Sequence, residues 1–250
     1  MLSESYRPST FDEIIGHDVA KSIIQDYLRD NPSGKSVLIS GTPGIGKTTL
    51  ALAAAKTCGY EPLEINASRA MRSHDDVSKL RDSCRAARSF TSILKYDKPL
   101  LTCVILDEVD GSDPHAQRKL LEWVKDPERR VPILFTANEI PIIFKRATEH
   151  VIIHRCMPLN SKTLYDTLQK HIPVSYHEFQ IIVKECQHDV RRILHRAQYG
   201  LSDKPQVVTM TGDSITDLLK QEEMFYKSSP IAHYLASTET ELHSSHSHCS

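Results

Sequence analysis

Apolar positions along the chain follow two rhythms. Val19, Ile23, Ile24, Tyr27 and Leu28 fall on one stripe of a helix over Asp18–Leu28, and Val77, Leu80, Cys84 and Ala87 step by three and four through Asp75–Phe90. Four other runs are short, apolar and unbroken: Ser36–Ser40, Leu100–Leu106, Ile133–Thr136 and Val151–His154. Runs of that length predict strands buried on both faces. Glu61–Ile65 predicts one strand more. Asn31–Gly34 is a turn, a helix follows the glycine-rich loop as far as Lys56, and another covers Pro114–Lys125, with Trp123 on its core side beside Leu120, Leu121 and Val124. Strands alternating with helices predict an α/β domain, a parallel sheet with helices on both faces.

After Pro158 the texture changes. Ser161–Lys170, Tyr176–Cys186 and Asp189–Tyr199 predict three short helices and no strand. The expected organisation is therefore an α/β domain over 1–158, a small helical domain over 159–200 and a C-terminal extension over 201–250. That extension holds one helix, Ser214–Tyr226, and a Ser- and His-rich tail expected to be disordered. His243, His246, His248 and Cys249 lie in that tail, where ligand-type residues read as composition rather than a metal site.

Composition adds constraints. The 250 residues are 40% hydrophobic and 25% charged, which excludes a wholly disordered or fibrous chain. Net charge is −1, but unevenly spread: residues 201–250 carry −4, leaving +3 on residues 1–200. Any basic surface must be local. No apolar run approaches the roughly 18 residues of a membrane span, and Met1-Leu2-Ser3-Glu4 has no secretory signal pattern. The six cysteines show no C-x-x-C spacing and read as reduced thiols. A reducing compartment, nuclear or cytoplasmic, is expected, whether a cell or a virus encodes the chain.

Three motifs carry chemistry. Gly41-Thr42-Pro43-Gly44-Ile45-Gly46-Lys47-Thr48, followed by Thr49, matches G-x-x-x-x-G-K-[ST] between a strand and a helix. Backbone N–H groups of such a loop cradle an anion, Lys47 reaches the β- and γ-phosphates, and Thr48 can ligate Mg²⁺. The strand Val104–Leu106 ends in Asp107 and Glu108: the first is placed to hold the metal and the second to orient and polarise an attacking water. Asn138, after the fourth strand, is a polar residue placed to hold that water or the γ-phosphate.

Together these motifs resemble the AAA+ ATPases of the DNA sliding-clamp-loader group, the replication factor C subunits, from about Tyr6 to Tyr199. Tyr6-Arg7-Pro8 with Asp12–Gly16, including Ile15 and Gly16, is similar to the family's adenine-side signature. Asn66-Ala67-Ser68 resembles its Asn-Ala-Ser box, and Asp107-Glu-Val-Asp110-Gly111 resembles the large-subunit form of its acidic motif. Asn138 takes the sensor-1 position, and Asp189-Val-Arg191-Arg192 is similar to the sensor-2 signature, with Arg191 as the γ-phosphate sensor. The resemblance implies a five-stranded AAA+ P-loop NTPase domain followed by a three-helix lid, with ATP and Mg²⁺ between them. It implies partners as well: other clamp-loader subunits, a sliding clamp and primer–template DNA, in replication and repair.

The sequence departs from the family in three places. Where small subunits carry the arginine finger stands His150, and His154-Arg155-Cys156 lies four residues too late, so no finger is expected. That absence suits a large subunit. Arg69 replaces the Asp usual after the Asn-Ala-Ser box, and about 50 residues leave no room for the family's C-terminal collar. On the 75–90 helix, Arg81, Arg85 and Arg88 lie opposite the apolar stripe, with Arg72 and Lys79 nearby. Two readings stand: contacts to DNA phosphates, or a solvated face balanced by Asp75, Asp76 and Asp82. Function also divides, between a hydrolysing clamp-loader subunit, a scaffold subunit that binds ATP without hydrolysing it, and a remodeller of branched DNA.

Overall fold

A strand covered on both faces sends alternate side chains into two different cores, which is why its sequence is apolar without a break. The computed structural model describes residues 8, 10–30, 34–71, 73–84, 100–169, 172 and 174–199. Its five strands are β1 (Ser36–Ser40), β2 (Tyr60–Asn66), β3 (Leu101–Asp107), β4 (Ile133–Ala137) and β5 (Val151–Arg155). All pair in parallel, in the order β2-β3-β4-β1-β5. Val37, Ile39, Cys103, Ile105 and Leu134 pack with α1 (Asp18–Asp30) and α2 (Lys47–Thr57). Their neighbours Leu38, Val104, Leu106, Ile133 and Phe135 pack on the opposite face with α4 (His74–Ser83) and α5 (Pro114–Lys125), where Trp123 is buried.

Register brings the functional ends together. Ser40 pairs with Ala137 and Asn66 with Asp107, so the segments leaving β1, β2, β3 and β4 emerge along one edge, the usual ligand side of such a sheet. Three helices follow β5: α7 (Ser161–Leu168), α8 (Tyr176–Glu185) and α9 (Val190–Tyr199). They surround a cluster of their own, which includes Leu164, Phe179, Ile182, Val183 and Ile193.

Local chemistry starts these helices where the apolar stripe begins. Ser73 with Asp76, and Ser175 with Glu178, form reciprocal capping boxes. Asp113 caps α5, with Pro114 in its first turn. Three short elements lack the length to show a periodicity: α3 (Ala67–Ala70), a 3₁₀ turn at Val109–Gly111 and α6 (Ile142–Lys145). The described part of the 75–90 helix ends at Ser83. Residues 85–90, Arg7, Arg72 and everything from 200 onward, including the 214–226 helix and the His-rich tail, lie outside the described residues.

One buried polar group holds the far edge of the sheet. The Arg129 side chain donates to the Val131 carbonyl (2.9 Å), the Gly34 carbonyl (2.5 Å) and the Tyr27 hydroxyl (3.1 Å). The Ile133 N–H donates to that same hydroxyl at 2.9 Å. Tyr27 on α1 thus supplies an acceptor where β4 begins. Removing it in Tyr27→Phe takes an acceptor from two buried donors, the Ile133 N–H and the Arg129 guanidinium, a cost of about 2 kcal/mol. The urea midpoint is expected to fall with unchanged m-value; a parental midpoint would show that the two donors find other acceptors.

Candidate functional site

The loop between β1 and α2 turns back over the strand end, and Lys47 opens α2 from beneath it. The Lys47 residue is only 8% exposed. Its ammonium donates to the carbonyls of Gly41 (2.8 Å) and Thr42 (3.0 Å) and to Asn138 Oδ1 (3.0 Å). Burial pulls its pKa below the ordinary lysine value, while Asp107 and Asp110 pull it back up.

Thr48 Oγ1 donates to Asp107 Oδ1 at 2.7 Å, and Thr136 Oγ1 donates to the same oxygen. A hydroxyl and a carboxylate touching at the mouth of the loop form an oxygen-only donor pair, which suits Mg²⁺. Thr136 was not singled out from the sequence. Its one signal is a hydroxyl inside an otherwise apolar strand, two residues before Asn138.

Glu108 sits in the left-handed region, at φ 55° and ψ 47°, unusual for a residue with a side chain. Asn66 Nδ2 donates to its Oε2 at 2.9 Å. The orientation of that amide follows from its other end: Asn66 Oδ1 accepts from Ser68 Oγ (2.6 Å) and from the Arg69 N–H (3.1 Å). The amide nitrogen is left to face the glutamate. The Asn-Ala-Ser segment therefore holds the Glu108 carboxylate toward β2.

The helices after β5 close the other side. Asp189 Oδ1 caps α9 by accepting the N–H groups of Arg191 and Arg192 (3.0 and 3.2 Å), and the Val190 N–H donates to the Gly44 carbonyl at 3.1 Å. At Gly44 φ is +75°, and a Cβ there would collide with the Asp189 carboxylate, so this close approach requires glycine. At Gly16, φ +65°, a Cβ would strike Leu159 at the junction with α7. His188 Nδ1 lies 3.1 Å from the Leu159 carbonyl.

Between these walls lies a cleft of about 360 Å³. Pro43, Gly44, Ile45, Gly46, Lys47, Thr48 and Thr49 line one end, with Asp107, Glu108, Asn138 and Arg191 across from them. The other end is apolar: Pro8, Ile14, Ile15, Leu159, Leu164, Leu168 and Leu194. Those leucines come from the segment after β5 and carry no motif that sequence reasoning could find. Gly16, Gly41 and Thr42 are not among the lining residues. Of the basic residues expected to face DNA, Lys79 is exposed and Arg81 is ion-paired with Asp126. Arg7, Arg72, Arg85 and Arg88 lie outside the described residues.

This arrangement defines the class. Residues 37–157 match the sequence model described as "ATPase family associated with various cellular activities (AAA)", and the fold is that of AAA+ P-loop NTPases; the chain carries an AAA domain. Within that class it is similar to replication factor C large subunits. It is 33% identical over 144 residues to the protein from Methanococcus maripaludis strain C6 and 34% identical over 144 residues to that from Methanococcus aeolicus. Each match covers 55% of this chain and 28% of the relative, so the chain matches little more than a quarter of the length of these curated relatives. Among solved structures, Thermotoga maritima RuvB, titled a Holliday junction branch migration motor, superposes with a TM-score of 0.56 at 16% identity. That superposition covers 76% of this chain and 63% of the other. No helix among the described residues is long and apolar enough to cross a membrane.

His17 is a further residue of this cleft that the sequence did not flag. It has φ 58°, and its Nε2 donates to the Ile45 carbonyl at 3.0 Å. Burial pushes its pKa below the ordinary 6.5, partly offset by that carbonyl. The unfolded chain therefore binds the proton at higher pH than the folded one. The stability carried by neutral His17 is complete above 6.5 and is lost as pH falls through that value toward the folded pKa. His17→Asn suits the left-handed backbone and does not titrate. Its Tm is expected to drop less than the parent's between about pH 7.5 and 5.5; an equal drop would remove His17 from the pH response.

Proposed function

We propose that the chain is an ATP-binding and hydrolysing subunit of a DNA sliding-clamp loader, large-subunit-like, acting in replication and repair. What supports the reading most directly is one cleft lined by Lys47, the Thr48–Asp107 pair, Glu108, Asn138 and Arg191. Similarity to replication factor C large subunits supports the clamp-loader assignment.

In this reading residues 1–158 form the nucleotide domain, 159–200 the lid and 201–250 an extension. The adenine rests against the apolar end, beside Ile15 and Gly16, with Pro8 at its edge. Backbone N–H groups of the phosphate loop hold the phosphates, and Lys47 exchanges its loop carbonyls for phosphate oxygens. Thr48 and Asp107 would hold Mg²⁺, which would supply positive charge to the phosphates. Glu108 accepts a proton from the attacking water as the γ-phosphoryl leaves the ADP oxygen. Asn138 orients that water or an equatorial oxygen, and Arg191 neutralises developing charge from the lid. Because the Val190 N–H bonds the Gly44 carbonyl, a change at the phosphates reaches the lid through one turn of backbone.

Glu108 cannot act while Asn66 holds it aside. Asn66 runs directly into α3, and α4 with Lys79 and Arg81 follows, so contact of these cations with DNA phosphates would release the glutamate. The same held glutamate favours a second reading, a scaffold subunit that binds ATP without turnover, and one assay separates the two.

ATP hydrolysis by purified protein is expected to be slow alone and raised by primed DNA, with Glu108→Gln lowering it about 100-fold or more. Binding without any rate above Glu108→Gln, even with DNA, would select the scaffold. Asn66→Ala is expected to raise the DNA-free rate about tenfold, a hold of ~1.4 kcal/mol on the carboxylate; a lower rate would assign Asn66 to catalysis instead. For DNA itself, Lys79→Ala should flatten the salt dependence of binding by about 0.9 in log–log slope. Arg81→Ala, already paired with Asp126, should change it less. Unaltered slopes in both would return this helix to a solvated face.

A further inference from the structure

Asp110 lies two residues past Glu108, in the 3₁₀ turn Val109–Gly111. One of its oxygens, Oδ2, accepts the backbone N–H of Asn138 and that of Glu139, each at 3.2 Å. Its other oxygen, Oδ1, is buried with no hydrogen-bond partner among the described residues. A buried carboxylate oxygen left unsatisfied is costly, and filling space in that turn does not require one. The charge is balanced across space by Lys47, whose ammonium in turn donates to the Asn138 side chain. A chain of contacts therefore runs from Lys47 to the Asn138 amide, from the Asn138 backbone to Asp110, and from Asp110 through Val109 to Glu108.

We propose that Asp110 is a positioning residue for hydrolysis: by clamping the N–H groups of Asn138 and Glu139 it aims the Asn138 side chain at the phosphate-transfer position and ties that aim to the turn carrying Glu108. The inference rests on the ATPase reading above and adds a residue to it. Two N–H donors on one oxygen fix the peptide plane between Asn138 and Glu139, and with it the direction of the Asn138 Cα–Cβ bond. Ground-state nucleotide contacts come from the phosphate loop, to which Asp110 makes no hydrogen bond among the described residues and which it reaches only through its charge. Loss of the clamp therefore acts on kcat and leaves KM alone.

The test is steady-state ATP hydrolysis by the full chain with primed DNA, for the parent, Asp110→Ala, Asp110→Asn, Asn138→Ala and the double Asp110→Ala/Asn138→Ala. Asp110→Ala is expected to lower kcat about 10- to 100-fold with KM unchanged. Asp110→Asn keeps an oxygen facing both donors and should stay within about threefold of the parent. The double variant should be no slower than Asn138→Ala, because both changes remove one interaction. Amide exchange at Asn138 and Glu139 should quicken in Asp110→Ala while β4 stays protected. If Asp110→Ala does not fold, Asp110→Glu keeps the charge but displaces the carboxylate, and the same loss of kcat is expected. Parental kcat in the folded variant, additive losses in the double, or a loss confined to KM would overturn the proposal. A parent with no rate above Glu108→Gln would instead overturn the ATPase reading, and this inference with it.

Discussion

An ammonium group taken out of water needs oxygen atoms around it, and at Lys47 the chain supplies them from two loops that are far apart in sequence. The carbonyls of Gly41 and Thr42 come from the segment after β1, and the amide oxygen of Asn138 from the segment after β4. Those segments meet because β1 pairs with β4, not with β2. The crossover that makes β1 and β4 neighbours is therefore what makes the buried cation tolerable. The loop carbonyls and the Asn138 amide thus hold the ammonium in a fixed place. Preorganisation of this kind lowers the cost of placing charge where charge will develop.

The acidic side of the site is built to the same logic but held in a different state. Asp107 accepts two hydroxyls, from Thr48 and Thr136, an oxygen set that suits a hard cation. Glu108 is turned toward β2 by Asn66 and sits on a left-handed backbone. Sparsely populated backbone conformations are kept where surrounding structure over-determines them. Here the constraint is the hydrogen bond from the Glu108 N–H to Thr136 Oγ1 at 3.3 Å, together with the tight turn that follows. In the proposed reading, binding and hydrolysis are separable: the groups assigned to the phosphates line one cleft, while Glu108, the assigned proton acceptor, is turned toward β2.

The three helices after β5 join the site through backbone rather than bulk. The Val190 N–H meets the Gly44 carbonyl, Asp189 fills the space that glycine leaves open, and Leu159 packs where Gly16 has no side chain. Two glycines distant in sequence are needed for the same reason, the close approach of the segment after β5 to the turns that precede α1 and α2. Their spacing from Asp189 and Leu159 gives no hint of this partnership.

How much was legible depended on the range of the interaction concerned. The strands were readable because a face buried on either side demands an unbroken apolar run, as Val37, Leu38 and Ile39 show. The phosphate loop and Asp107-Glu108 were readable because their chemistry fixes residue types at short spacings. The parking of Glu108 by Asn66, the bond from Thr136 to Asp107, and the clamp of Asp110 on Asn138 span 42, 29 and 28 residues. Arg81 reads as part of a basic stripe, yet Asp126, 45 residues on, takes its charge. Sequence by itself determined which elements form and which side chains carry chemistry, since helix and strand periods and loop motifs are local. Only tertiary structure decided which of those side chains meet, because strand order and register, not sequence distance, set what lies within hydrogen-bond reach.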